Sequence, residues 1–173
     1  MIYKKTIVLL AILLLLTTAN KAQNPVISVH PDEMNMIIEA GCKGYLRKGQ
    51  LHINQYRACS QCLLTYFENH GYPFAEVSLD SVLLTTDTIF SLLKIKKNTY
   101  IYLDSIVLAG NLKLSKWFLY PYLSWRKGKR YNEAQLKEIP NKLNNIPFAT
   151  EIRSSGIEFV EDKASLYLFL DKK

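Results

Sequence analysis

The sequence predicts an α+β protein of two tandem β-α-α-β-β units, each a three-stranded mixed sheet with two helices on one face. Three observations carry this. The first is an internal repeat: Gly71-Tyr72-Pro73-Phe74-Ala75-Glu76-Val77 is echoed by Ile146-Pro147-Phe148-Ala149-Thr150-Glu151-Ile152, and Asp87 to Ile95 by Glu161 to Phe169. Pro73 to Pro147 and Ser91 to Ser165 both span 74 residues, so the hairpin between these anchors keeps its length in both copies, which chance similarity of short motifs rarely produces. The second is the alternation of apolar spacing between the period of a strand and that of a helix. The third is the closing segment, where Leu166, Leu168 and Leu170 face one way and Tyr167 and Phe169 the other, the pattern of a central strand with little exposure.

The chain opens with Lys4-Lys5, an apolar run from Ile7 to Leu16, and small and polar residues through Ala22-Gln23. This is the layout of a secretory signal peptide, and the run is too short to cross a bilayer as a permanent helix. Ala19 and Ala22 both satisfy the small-residue requirement for cleavage. The reading adopted is removal of residues 1–22, followed by a first unit at 23–98 and a second at 99–173.

In the first unit, Pro25 to Val29 reads as the opening strand and Pro31 to Ala40 as the first helix, with Gly41 to Gln50 a polar, basic connection. A long helix over Ile53 to Asn69 then places Tyr56, Cys59, Leu63 and Phe67 on one stripe. Strands near Glu76 to Leu84 and Ile89 to Lys96 complete the unit. The second unit starts with a strand rich in β-branched and aromatic residues, Ile101 to Ala109, that breaks at Gly110-Asn111. Helices are predicted from Leu114 to Ser124 and from Asn132 to Asn144, the latter opened by Asn132 as N-cap with Gln135 in capping-box spacing. Pro140 inside that second helix is expected to kink or end it. Strands over Glu151 to Phe159 and Ala164 to Leu170, joined by a turn at Glu161-Asp162-Lys163, close the unit.

Charge and chemistry narrow the function classes. The whole chain has 22 basic and 15 acidic residues, and losing Lys4, Lys5 and Lys21 leaves a mild excess of cations. The densest cluster, Arg126, Lys127, Lys129 and Arg130, has the composition of a solvated loop or of a contact to acidic lipid head groups or an acidic partner; an exported chain gives no ground for nucleic acid. His30, His52 and His70 are scattered, with no Asp, Glu or Cys at metal or triad spacing, so no metal, cofactor or enzymatic activity is expected. Cys59-Ser60-Gln61-Cys62 has the spacing of a redox pair, but both thiols lie inside a helix that starts at Ile53 instead of at its amino-terminal end. The alternatives are small buried residues, or a structural bond involving Cys42. Trp117, Phe118, Tyr120, Tyr122 and Trp125 gather around Pro121, an aromatic excess that hints at an exposed contact surface.

The strand ending in Ile106-Val107-Leu108-Ala109-Gly110-Asn111, the Gly128-Lys129-Arg130-Tyr131 stretch before the second helix, and the closing strand Ser165 to Leu170 together resemble a POTRA domain, with Gly110 and Asn111 as the turn motif. The resemblance implies a module of the periplasm, at the outer membrane, of the kind that precedes the barrel in the BamA/TamA-like surface antigen family of assembly factors. It further implies binding of unfolded outer-membrane clients or assembly-machine subunits by β-strand augmentation, and membrane association through a missing or separate barrel. The sequence ends at Lys173 directly after a POTRA-like final strand, consistent with a periplasmic piece of a longer gene product or a free-standing protein. Alternatives are the POTRA part of a two-partner secretion transporter, and a thiol-dependent periplasmic factor using Cys59 and Cys62.

Two strands are candidate docking edges, and the first is preferred. It runs through Glu76, Val77, Ser78, Leu79, Asp80, Ser81 and Val82 with neither Gly nor Pro, whereas Ser154, Ser155 and Gly156 invite a bulge in the second. A groove between the first edge and the helix carrying Tyr56, Leu63 and Phe67 is expected to receive apolar client side chains.

Overall fold

In the computed structural model, residues 26–84 and 89–173 are described; the signal-peptide reading falls outside them. The elements are β1 (Val26–Ser28), α1 (Pro31–Glu39), a 3-10 turn (Cys42–Tyr45), β2 (Leu46–Arg47), β3 (Gln50–His52), α2 (Ile53–Asn69), β4 (Glu76–Leu84) and β5 (Ile89–Lys96). They continue with β6 (Tyr102–Ala109), α3 (Lys116–Tyr122), α4 (Glu133–Lys137), α5 (Ile139–Asn144), β7 (Ala149–Val160) and β8 (Lys163–Lys172). Among the described residues no helix is long and apolar enough to cross a membrane.

Two mixed sheets form, ordered β2-β3-β1-β5-β4 and β6-β8-β7. In the second, β6 lies parallel to β8, and β7 pairs antiparallel to β8 from Ala149↔Lys172 to Val160↔Lys163, so the last strand is central and the hairpin partner is an edge. β1, β5 and β4 repeat that arrangement in the first. The two hairpins nevertheless spend their equal length differently. In the second, a two-residue turn with Glu161 at φ 54° is offset by two register shifts in β7, whereas the first has one shift, between Asp80 and Leu83, and pairing that closes at Leu84↔Ile89.

The first unit departs from three strands. Gly41 to Gln50 is not an open connection: it folds as the 3-10 turn and a β2-β3 hairpin reversing at Lys48 and Gly49, both with positive φ (50° and 77°). β3 then adds antiparallel to β1 and makes the sheet five-stranded. The missed signal is the Lys48-Gly49 pair, whose left-handed backbone suits a tight hairpin. A disulfide joins Cys42 to Cys62 across this added layer, tying the 3-10 turn to α2.

The helices of the second unit are shorter than expected. α3 is limited to Lys116–Tyr122, with the Ser115 hydroxyl accepting from Phe118 N at 3.3 Å and Pro121 near its end. The helix predicted over Asn132 to Asn144 divides into α4 and α5 at Glu138, because Pro140 has no N–H to donate back and sits instead in the first turn of a new helix, where none is required. Asn132 caps α4 through Gln135 N at 3.0 Å. Gln135 does not complete a capping box: its amide donates to Ser124 O at 2.8 Å, joining α4 to the end of α3.

Each sheet has its own apolar core. Ile27, Ile37, Leu51, Cys59, Leu63, Phe67 and Leu93 are buried in the first; Leu119, Leu123, Trp125, Ile139, Leu143, Leu166, Leu168 and Leu170 in the second. Each such leucine contributes about 1.5–3 kcal/mol relative to exposure. The two units meet at the carboxyl end of α2. Ile101 N donates to Gly71 O at 2.8 Å, Ala134 N to the Asn69 side-chain oxygen at 2.8 Å, and Phe74 packs edge-on against Phe159 at 4.8 Å.

Candidate functional site

β4 is the outer strand of the five-stranded sheet, so one row of its backbone donors and acceptors faces away from β5. Pairing with β5 runs in register from Glu76↔Lys96 to Asp80↔Leu92. Glu76, Ser78 and Asp80 are exposed, and Val77 and Leu79 are half-buried and packed on the first core, the alternation expected of a strand covered on one face. The regular edge ends at Asp80. Ser81 has φ 51°, its N–H donates to Asp80 Oδ1 at 2.9 Å, and the register shifts before Leu83. Ser81 and Val82 therefore belong to a bulge, and the expected contrast between a regular first edge and a bulged second one reduces to a difference of degree. The Lys94 ammonium, 3.4 Å from Asp80 Oδ2, and the Ser81 N–H hold the Asp80 carboxyl below the usual carboxylate range.

The groove residues are placed differently from expectation. Leu63 and Phe67 are 0% and 1% exposed, filling the core beneath the sheet, and cannot receive a side chain from outside. Their stripe faces inward because α2 packs flat on the sheet. Tyr56 reaches the backbone of the edge strand: its hydroxyl donates to Val77 O at 3.2 Å and engages one acceptor of β4. The concavity along α2 lies on another face, about 610 Å³ lined by Ala40, Tyr45, Ala58, Cys62, Tyr66 and His70 among others.

The second edge, β7, has its own features. The Glu151 carboxylate accepts from Ser155 N at 2.7 Å, which caps a donor inside the bulged stretch. Phe159, near the far end, packs between Phe74 and Tyr131. A concavity of about 260 Å³ opens beside Gly156 and Ile157, against Leu136, Ile139 and Pro140.

The Gly110-Asn111 motif closes the parallel pair β6-β8. Asn111 N donates to Asp171 Oδ1 and Lys172 N donates to Asn111 Oδ1, both at 2.8 Å, while Leu112 N reaches Leu170 O at 3.2 Å. Gly110 has φ 108°, and a Cβ there would overlap the Leu170 carbonyl oxygen, so glycine is required both by backbone angle and by space. The motif is a structural lock on the end of β8, where Leu170 also pairs with Glu151 at the start of β7.

Cys59 and Cys62 do not form a redox pair. Cys62 is bonded to Cys42, and Cys59 is a buried free thiol whose ionisation burial pushes up, the reverse of an activated thiolate.

A β-α-α-β-β chain whose first and last strands pair in parallel, with the hairpin strand at the edge, is the POTRA fold. It is present here in two tandem copies, the first enlarged by β2 and β3. Among solved structures, the chain is similar to BamA from Haemophilus ducreyi lacking POTRA domains 1–3, at TM-score 0.59 and 15% identity over 85% of this chain. It is also similar to POTRA3–5 of BamA from Haemophilus influenzae, at TM-score 0.54 and 13% identity over 83% of this chain. The chain spans 28% and 59% of those two structures. At such identity the likeness is one of fold. No protein-family model and no curated protein matches the sequence.

Proposed function

We propose that the chain is a periplasmic POTRA module at the outer membrane that binds unfolded outer-membrane proteins, or subunits of an assembly machine, by adding their extended segments to β4. The barrel served would be a separate or further part of the system. The observation that carries this is the run Glu76 to Asp80, which pairs with β5 without a register shift and forms the outer edge of a POTRA sheet, with the Val77 carbonyl also accepting from Tyr56. Backbone pairing tolerates many client sequences, because the ladder bonds are the same whatever side chains the incoming strand brings. Val77 and Leu79, half-buried at that edge, supply the apolar footing in place of Leu63 and Phe67, which are sealed in the core. β4 is favoured over β7 because Glu76 to Asp80 pairs without a register shift, whereas β7 shifts twice between Glu151 and Gly156, and because Phe159 is engaged at the unit junction.

NMR titration with an extended outer-membrane peptide tests the proposal. Neighbouring donors in a strand point to opposite edges, so of Ser78→Pro and Leu79→Pro one removes an outward donor and leaves pairing with β5 intact. That variant is expected to weaken binding by about 2- to 12-fold, the equivalent of one net hydrogen bond of 0.5–1.5 kcal/mol. Ser154→Pro is expected to change it little. Shifts confined to β7, or absent from both edges, would reject the mechanism.

A further inference from the structure

We propose that the outer face of α3 is a docking surface for an anionic phospholipid layer. Between Leu112 and Tyr131 the chain carries six cations, Lys113, Lys116, Arg126, Lys127, Lys129 and Arg130, and no Asp or Glu. Within that stretch Trp117 stands 91% exposed, the largest exposure among the described large apolar side chains, with Phe118 beside it at 40% and stacked on Tyr122. Water contact on so much aromatic surface is unfavourable, at roughly 25 cal/mol per Å².

The aromatic and cationic groups form one continuous strip. A concavity of about 350 Å³ is lined by Lys116, Trp117, Tyr120 and Pro121. A second, of about 400 Å³, is lined by Tyr120, Pro121, Ser124, Trp125, Arg126 and Lys129. Tyr120 and Pro121 are common to both, so apolar surface runs from Lys116 at one end to Arg126 and Lys129 at the other. Lys127 is neutralised by Asp104 at 2.8 Å; among the described residues Lys116, Arg126 and Lys129 make no ion pair.

Charge complementarity calls for an anionic occupant, and the backbone favours lipid over an acidic peptide. An extended peptide needs free ladder groups, but the adjoining stretch of β6 has its groups engaged. Ile106 N donates to the Tyr120 hydroxyl, Leu103 N to Lys129 O, Gly128 N to Leu103 O, and Trp125 Nε1 to Asp104 O. What remains is a protruding indole flanked by cations, the combination that seats an aromatic ring at head-group level while lysine and arginine meet the phosphates. The inference does not rest on client binding at β4, which lies in the other sheet.

The test is binding of the full chain to vesicles of phosphatidylcholine alone and of equimolar phosphatidylcholine and phosphatidylglycerol, read by sedimentation and tryptophan emission. Buried Trp125 is a constant background, so a blue shift on binding reports Trp117. Wild type and variants share one amino terminus, so any affinity of residues 7–16 for lipid cancels between them. The expected result is a blue shift with anionic vesicles, suppressed by salt. Partitioning should fall about a hundredfold in Lys116→Gln/Arg126→Gln/Lys129→Gln, at roughly fivefold per cation. Trp117→Ala should weaken it at unchanged far-UV circular dichroism. Equal binding to the two vesicles, no loss in the triple variant or in Trp117→Ala, or an equal blue shift with a polyglutamate peptide would overturn the proposal.

Discussion

Replacing Gly110 by Ala separates two demands that the end of β6 makes on one residue. At φ 108° a Cβ costs roughly 1–2 kcal/mol in backbone energy. The same Cβ would overlap the Leu170 carbonyl oxygen and lie 2.8 Å from Asp171 Oδ1. Backbone atoms of the central strand cannot swing aside as a lysine end could, so relieving the overlap costs a further 1–3 kcal/mol, roughly. The expected total is about 2–5 kcal/mol, a large part of the 5–15 kcal/mol that holds a typical domain folded. Gly128 supplies the control: its φ is 78°, yet nothing lies within 4 Å of its Cβ position, so Gly128→Ala keeps only the first cost. The gain from a stiffer unfolded chain is common to both and cancels in the comparison. Urea unfolding followed by tryptophan emission, with Trp125 buried in the second core, gives both midpoints. Equal destabilisation of the two variants would refute the steric half of the reasoning, and a loss below about 1 kcal/mol in Gly110→Ala would refute the whole.

Two more perturbations address other parts of the chain. The Cys42–Cys62 bond closes a loop of sequence separation 20, for which chain entropy gives about 3 kcal/mol; Cys42→Ser/Cys62→Ser should lower the urea midpoint accordingly, and wild type in reductant should match the double variant. Glu68 sits beside Glu133 and Lys137 at the unit junction, and desolvation, then Glu133, raise its pKa above the ordinary 4.5. Because the folded chain holds that proton more tightly, stability falls as pH rises from the ordinary value through the raised one. Glu68→Gln should therefore be more stable than wild type at neutral pH and lose that advantage in acid below 4.5, as measured by urea midpoints across the range.

Much of the fold was legible in particular residues. The 74-residue offset located both hairpins, and alternation at Leu166, Leu168 and Leu170 placed β8 at the centre with its leucines inward, because a two-residue period leaves only two faces to choose between. Gly110-Asn111 marked a turn by composition alone, since few residues accept its backbone. Local signals also set where helices end: Pro140 divided α4 from α5 through a donor it lacks. What the sequence could not decide is which apolar stripe meets water and which groups at an edge are already used. Tyr56, Leu63 and Phe67 share one helical face, yet Leu63 and Phe67 are sealed beneath the sheet while the Tyr56 hydroxyl bonds to the backbone of β4, because that outcome depends on how closely α2 lies against strands distant in sequence. Trp117 and Trp125 are equally apolar on paper; packing against β6 buries one and leaves the other 91% exposed. The choice among Cys42, Cys59 and Cys62 was settled likewise by the folding of residues 41–50 into a 3-10 turn and hairpin, which carries Cys42 to the flank of α2, since bond formation depends on distance in space and not on spacing along the chain.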